Sequence, residues 1–118
     1  MARRSSRPRL QDILDHIAIV DRAVAGRDFE SFVGDPVLRL AVERAIEIIS
    51  EAVRDIPEEH REKHAATPWR NIMAIGNKLR HEYQRIDPDI IWEIAQTHLT
   101  ELQPVIEAIV TELAEGET

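Results

Sequence analysis

Apolar residues recur every three or four positions along most of this chain, and charged residues separate them. One stretch of this kind consists of Leu10, Ile13, Leu14, Ile17, Val20 and Val24. Another consists of Leu38, Val42, Ala45, Ile49, Ala52 and Ile56. This spacing places the apolar side chains on one face of an α-helix, whereas no segment alternates convincingly with the period of two that marks a strand. The pattern therefore predicts an all-α protein.

Three dipeptides that combine a capping residue with proline indicate where helices begin. Asp35-Pro36, Thr67-Pro68 and Asp87-Pro88 each offer a side chain that accepts hydrogen bonds from free backbone N–H groups. The proline that follows needs no donor in the first turn of a helix. Together with the first apolar stretch, these starts give four main helices, which we expect to form an antiparallel bundle.

Shorter segments connect or interrupt these helices. Pro57 ends the second helix, and residues 58–64 are expected to form a short additional helical segment. Residues 28–34 are expected to form a connecting turn whose two phenylalanines pack as anchors. Pro104 is expected to kink or break the last helix, because proline removes a backbone hydrogen bond and clashes with the preceding turn.

The length and composition limit the class of protein. The 118 residues fit one domain, and we expect a flexible basic arm over residues 1–9 and a single helical domain over residues 10–115. The chain has no cysteine, which excludes disulfides and thiolate zinc sites. No apolar run approaches the roughly 20 residues of a membrane span, and the N-terminus lacks the apolar stretch of a signal peptide. The simplest expectation is a soluble cytoplasmic protein without a cofactor.

The charge is distributed unevenly along the chain. The formal net charge is −7, yet residues 61–85 carry six cations against two acids, and no Lys or Arg occurs from Ile86 onward. This asymmetry predicts a basic surface for a polyanion. Chance clustering of charges on solvated helices explains it about as well.

The segment from Asn77 to Tyr83 has the residue types that RNA cleavage needs. On a helix, His81 shares a face with Asn77 and Lys78, which lie four and three positions before it. A histidine can exchange a proton with a ribose 2′-hydroxyl or a leaving oxygen, while an amide and nearby cations hold the phosphate. The alternative is a half-exposed histidine that is stabilised by the end of a helix.

Several motifs resemble those of HEPN-domain toxins of the HepT-like group. They are Pro68-Trp69-Arg70, Gly76-Asn77-x-x-x-His81-x-Tyr83, Asp87, Trp92 and the preceding helix with Ala45, Ile48, Ile49, Glu51 and Ala52. The resemblance runs from about Leu10 to Ile109. It implies an all-helical, usually homodimeric protein whose active members are metal-independent ribonucleases with the active cleft at the dimer interface.

The resemblance also implies roles for individual residues. His81 would be catalytic and Asn77 the polar residue of the motif, with Lys78 and Arg80 near the RNA phosphate. Tyr83 would be the acceptor of AMP groups from a minimal nucleotidyltransferase antitoxin, as in toxin–antitoxin systems of type VII. AMP adds bulk and negative charge where an RNA phosphate should bind, so it would silence the toxin.

The chain departs from the family at one position. The family's arginine is expected five to seven residues before the histidine, and Gly76 stands where the Arg of an Arg-Asn pair should be. Arg80 points about 100° away from His81 on a helix, and Lys78 lacks the planar fork of arginine. A catalytically degenerate module that binds the nucleotidyltransferase or RNA without cleavage is therefore an alternative, and a bundle that only scaffolds a dimer is a third.

Other residues suggest weaker hypotheses. His60 and His64 have the spacing of a helical zinc pair, but the flanking cations oppose a metal, and we expect none. Glu51 could orient a motif residue, although an ordinary surface carboxylate is the simpler interpretation. His16 and His98 are expected to be packing or surface residues, and Trp69 and Trp92 are expected to be core anchors near the starts of helices. The wide apolar surface of Ile46, Ile48 and Ile49 favours a homodimer, and a thick core explains it nearly as well.

Overall fold

The computed structural model describes residues 7–116, apart from the Tyr83 side chain, and this part of the chain is helical without a strand. The α-helices are α1 (Arg7–Val24), α2 (Phe29–Val33), α3 (Pro36–Val53), α4 (Glu58–Lys63), α5 (Trp69–Glu82), α6 (Pro88–Glu93) and α7 (Leu99–Gly116). A 3₁₀ turn (Tyr83–Arg85) follows α5, and a π-helical turn (Ile94–His98) joins α6 to α7. The predicted all-α class is confirmed.

The four main helices of the bundle are α1, α3, α5 and the α6–α7 pair, and α3 lies between α1 and α5. An ion pair of 2.8 Å between Arg9 and Asp55 joins the start of α1 to the chain just after α3, so these two helices are antiparallel. The apolar positions of the two sequence stretches line the core; its fully buried members include Leu10, Ile13, Ile17, Val20, Val42 and Ile49. None of the helices over residues 7–116 has the length and hydropathy to cross a membrane.

The predicted helix starts are present, but their caps differ. Asp35 Oδ1 accepts a hydrogen bond from the backbone N–H of Leu38 (3.1 Å), and this bond lowers the pKa of the Asp35 carboxyl. Asp87 precedes α6 in the same way, but its side chain makes no capping hydrogen bond. The proline after Asp87 therefore starts α6 without a side-chain cap.

Residues 28–34 form a short helix, so the predicted simple turn is wrong. Asp28 Oδ1 caps α2 by accepting from the N–H of Ser31 (2.8 Å). The two phenylalanines contact Trp92, with ring centroids 5.2 Å apart for Phe32 and 6.3 Å apart for Phe29. Phe32 is fully buried, whereas Phe29 is 39% exposed, so Phe32 is the anchor of this segment.

Pro104 does not break the last helix, and that part of the prediction is wrong. Helix α7 continues through Pro104, because buried Leu102 and Ile106 hold the chain against the core on both sides of the missing hydrogen bond. The irregular turn lies earlier, at the π-helical segment, where the N–H of Leu99 donates to the carbonyl of Ile94.

The N-terminus of the described chain is helical. Helix α1 begins at Arg7, so residues 7–9 of the predicted arm belong to this helix. Residues 1–6 lie outside the described part. The division into arm and domain stays a prediction for them.

Candidate functional site

Helix α5 presents the predicted chemical residues on its exposed side. Leu79 faces the core, while the solvent-exposed residues of this segment include Asn77, Lys78, Arg80 and His81. Their three- and four-residue spacing places Asn77, Lys78 and His81 on one face of the helix. Tyr83 begins the 3₁₀ turn directly after α5, and its side chain lies outside the described residues.

Gly76 lies at a close approach of α5 to α3. A Cβ atom at this position would overlap Ser50 Oγ and lie 2.6 Å from Ser50 Cβ. The Ser50 hydroxyl is itself held in place, because it donates to the carbonyl of Ile72 at 2.6 Å and lies 3.1 Å from that of Met73. Position 76 therefore has no room for a side chain while Ser50 is present, which accounts physically for the glycine.

Arg80 lies one helical turn after Gly76 and contacts the same neighbouring helix. Its Nη2 is 3.2 Å from Glu51 Oε2, and its Nε is 3.7 Å from Glu47 Oε1. Glu47 also pairs with Arg44 at 3.0 Å. Glu51 on α3 thus forms an ion pair with Arg80 of the motif on α5, so it is more than an ordinary surface carboxylate.

The other cations of the basic segment are placed differently. Arg85 lies 3.5 Å from Glu82 and is largely exposed. Arg70 and Lys78 are exposed, and no acidic group of residues 7–116 forms an ion pair with either. Within the described part of the chain, Lys78 is therefore a positive charge without an ion-pair partner on the face of His81.

His60 and His64 both bind one carboxylate. His60 Nδ1 and His64 Nε2 each lie 2.7 Å from a different oxygen of Glu112, which joins α4 to α7. A carboxylate only accepts hydrogen bonds, so both ring nitrogens donate. Residues 7–116 contain no group of three or more His, Cys, Asp or Glu side chains that could hold a metal ion.

We expect the Glu112 bridge to make stability sensitive to acid. Hydrogen bonds, that from His60 first, lower the pKa of the Glu112 carboxyl from its ordinary 4.5. A lowered pKa means that the carboxylate stabilises the fold above about pH 4.5 and that this contribution disappears as the pH falls through the folded pKa. At pH 7, Glu112→Gln should reduce the free energy of unfolding by about 1 kcal/mol. Urea unfolding at several pH values measures this loss.

The matched control for this prediction is Glu107→Gln, an exposed acid on the same helix. The difference between wild type and Glu112→Gln should shrink as the pH falls below 4.5 and through the lowered pKa of folded Glu112, because the carboxyl then becomes protonated in both the folded and unfolded states. A difference that stays constant over this range would contradict the role of the charge.

The two tryptophans are anchors, as predicted. Trp69 is buried, and its Nε1 donates to the backbone carbonyls of Arg61 (3.0 Å) and His64 (3.1 Å), which fastens the α4–α5 loop to the start of the motif helix. Trp92 is half-buried against the phenylalanines of α2. Trp69 therefore holds the start of α5, and Trp92 holds α6, which follows the candidate site in the chain.

An apolar groove of about 600 Å³ lies between α5 and the α6–α7 pair. Its floor includes Ile46 and Ile49, so the core accounts for two of the three isoleucines that suggested a wide surface. Ile90 on its edge is 46% exposed. This groove could not be located from the sequence, because it depends on how far α5 lies from α7.

The chain matches a known family and several curated proteins. A family model described as Ribonuclease HepT-like matches residues 13–109. A protein of Caldanaerobacter subterraneus subsp. tengcongensis, named as a candidate RNase, is 42% identical over 90% of this chain and 95% of its own length. A protein of Methanocaldococcus jannaschii with the same kind of name is 31% identical over 98% and 99%. A candidate ribonuclease HepT of Thermococcus cleftensis is 31% identical over 91% and 97%. No solved structure matches the chain.

Proposed function

Since the chain belongs to the HepT-like ribonuclease family, we propose that it is a metal-independent endoribonuclease that acts on cellular RNA. The observation that carries the proposal is the exposed face of α5, where His81, Asn77 and Lys78 occur together within the matched segment. RNA supplies its own nucleophile, so the protein has to move protons and stabilise charge on the phosphate.

His81 acts as the acid or base in this proposal. It accepts the proton of the attacking 2′-hydroxyl or donates one to the leaving 5′-oxygen. Asn77, Lys78 and Arg80 bind the phosphate oxygens and stabilise the negative charge that grows there in the transition state. A homodimer would bring two copies of His81 to one cleft and so separate these two proton transfers. The uncovered apolar groove beside α5 supports an association of this kind.

The test of the proposal is RNA cleavage by the purified protein in the presence of EDTA. Cleavage that persists with EDTA supports a mechanism that needs no divalent metal. Cleavage that disappears with EDTA and returns with added metal would contradict it.

We further propose that the protein is the toxin of a toxin–antitoxin pair, and that a minimal nucleotidyltransferase silences it at Tyr83. Tyr83 follows His81 by two residues, so AMP attached there would place a phosphate beside the site. Incubation with the nucleotidyltransferase and ATP should add AMP to wild type, seen as a mass increase, and abolish RNA cleavage. Tyr83→Phe should show neither effect; a mass increase that persists in this variant would refute the assignment to Tyr83.

A second candidate function is a binding module without catalysis. The Ser50–Gly76 contact favours it, because position 76 cannot hold the family's arginine in this chain. Such a module would bind RNA or the nucleotidyltransferase, and RNA would remain intact at every enzyme concentration.

A further inference from the structure

The guanidinium of Arg80 is held by two carboxylates of the neighbouring helix. Glu51 Oε2 lies 3.2 Å from Nη2, and Glu47 Oε1 lies 3.7 Å from Nε. Neither contact uses Nη1, so the N–H donors of that nitrogen remain for a further acceptor. The Arg80 side chain is 43% exposed, which leaves it accessible to a ligand.

The packing of α3 against α5 determines this arrangement. Ser50 contacts Gly76, and the two acids lie three positions before and one position after Ser50 on α3. Arg54 contacts the Met73 carbonyl whereas Arg80 contacts Glu47, so α3 and α5 are antiparallel. Arg80, one turn beyond Gly76, therefore comes level with Glu47, and its long side chain also reaches Glu51. The contact that excludes a side chain at position 76 therefore also brings the carboxylates to Arg80.

We propose that Glu51 and Glu47 are positioning residues, which hold Arg80 as the phosphate-binding cation of the His81 site. The inference rests on the proposed ribonuclease function. Exposed ion pairs contribute little to stability, but they restrict a long side chain before the ligand arrives. An arginine that is already in place loses less entropy when it binds a phosphate, and its planar fork suits the phosphate oxygens.

Two other roles are possible for the acids, and each makes a different prediction. If the ion pairs only join α3 to α5, their removal lowers stability and leaves the kinetics of the folded enzyme unchanged. If the acids shield Arg80 from RNA, their removal strengthens RNA binding and accelerates cleavage. Positioning predicts slower cleavage, although removing a negative charge should by itself favour RNA.

The experiment measures kcat and KM for cleavage of an RNA oligonucleotide in EDTA by wild type and variants. Arg80→Ala should reduce kcat/KM about 100-fold, the usual effect of losing one donor to the transition state. The reduction in kcat/KM should be up to about 10-fold for Glu51→Gln and for the double variant Glu47→Gln/Glu51→Gln, and it should occur mainly in kcat. The unfolding midpoint of both variants should shift little. Glu107→Gln is the control for the loss of a distant acid.

A double-mutant cycle separates positioning from a general effect on the fold. In the Arg80→Ala background, Glu51→Gln should have no further effect, because there is no guanidinium left to position. An equal reduction in both backgrounds, or faster cleavage by Glu51→Gln alone, would overturn the inference while the ribonuclease function stands. Absence of cleavage by the wild-type protein would overturn the ribonuclease function and this inference with it.

Discussion

His81→Ala should reduce RNA cleavage by at least about 100-fold, because a positioned general acid or base contributes about 10² to 10⁴ to the rate. The loss should occur in kcat, since alanine still leaves Asn77 and the cations to bind the phosphate. His81 is exposed on α5, so its removal should leave the free energy of unfolding nearly unchanged. Initial rates on a labelled RNA, with EDTA present, measure the effect.

The control for this variant is His16→Ala. His16 lies on α1, where its Nδ1 bonds to the Asp12 carbonyl at 2.7 Å, and α1 packs against α3 and α7. This variant should cleave RNA at the wild-type rate. Equal rates for His81→Ala and wild type would show that cleavage, if present, uses other residues or comes from a contaminant.

Gly76→Arg should destabilise the fold by about 3 kcal/mol, because its Cβ would occupy the volume of the Ser50 side chain. A loss of activity in this single variant could therefore come from the destabilised fold, so the variant alone does not measure the effect of the family's arginine on catalysis. Ser50→Gly removes both atoms that the new Cβ would meet closely, and the next nearest atom is the Glu47 carbonyl oxygen at 3.8 Å. The double variant Ser50→Gly/Gly76→Arg should recover most of the lost stability, less about 1 kcal/mol for glycine inside a helix.

Cleavage by the stable double variant then distinguishes the two functions. If Arg80 already supplies the phosphate-binding cation, kcat/KM should stay within a few-fold of wild type. A large gain from near zero would instead support a degenerate site that lacks its cation. Gly116→Arg is the control, since it adds the same charge at a helical glycine with no atom within 4 Å of the new Cβ. Urea unfolding and RNA cleavage are measured on all of these variants.

The sequence predicted those parts of the fold that depend on neighbouring residues. The cap of Asp35, the proline after it and the apolar stripe of α3 are all local, and all are present. Helix α2 was missed because five residues are too few to show a helical period. The π-helical turn did leave a signal, because buried Ile91, Ala95 and Leu99 are spaced by four and four, wider than the mean period of 3.6.

The shared helical face of the candidate site could be predicted from the sequence, but its contacts with other helices could not. Asn77, Lys78 and His81 share a face because helical geometry requires it. The contacts of Ser50 with Gly76, of Glu51 with Arg80 and of Glu112 with two histidines join residues on different helices. They depend on the register between helices, which is determined by packing in three dimensions. The reason for the missing arginine was therefore absent from the local sequence.

The π-helical turn between α6 and α7 determines how this connection responds to a change in its length. A π turn accommodates one residue more than the α-helix around it, because its hydrogen bonds join residues five positions apart. Loss of one residue from Ile94–His98 would convert α6 and α7 into one regular helix. Because the π turn absorbs that residue, its loss would leave α6 in nearly the same orientation relative to α7, and Ile91 and Trp92 would keep their packing against the core. A deletion of one residue should therefore be tolerated within these five residues, whereas the same deletion in the regular part of α7 would rotate one side of the helix by about 100° relative to the other.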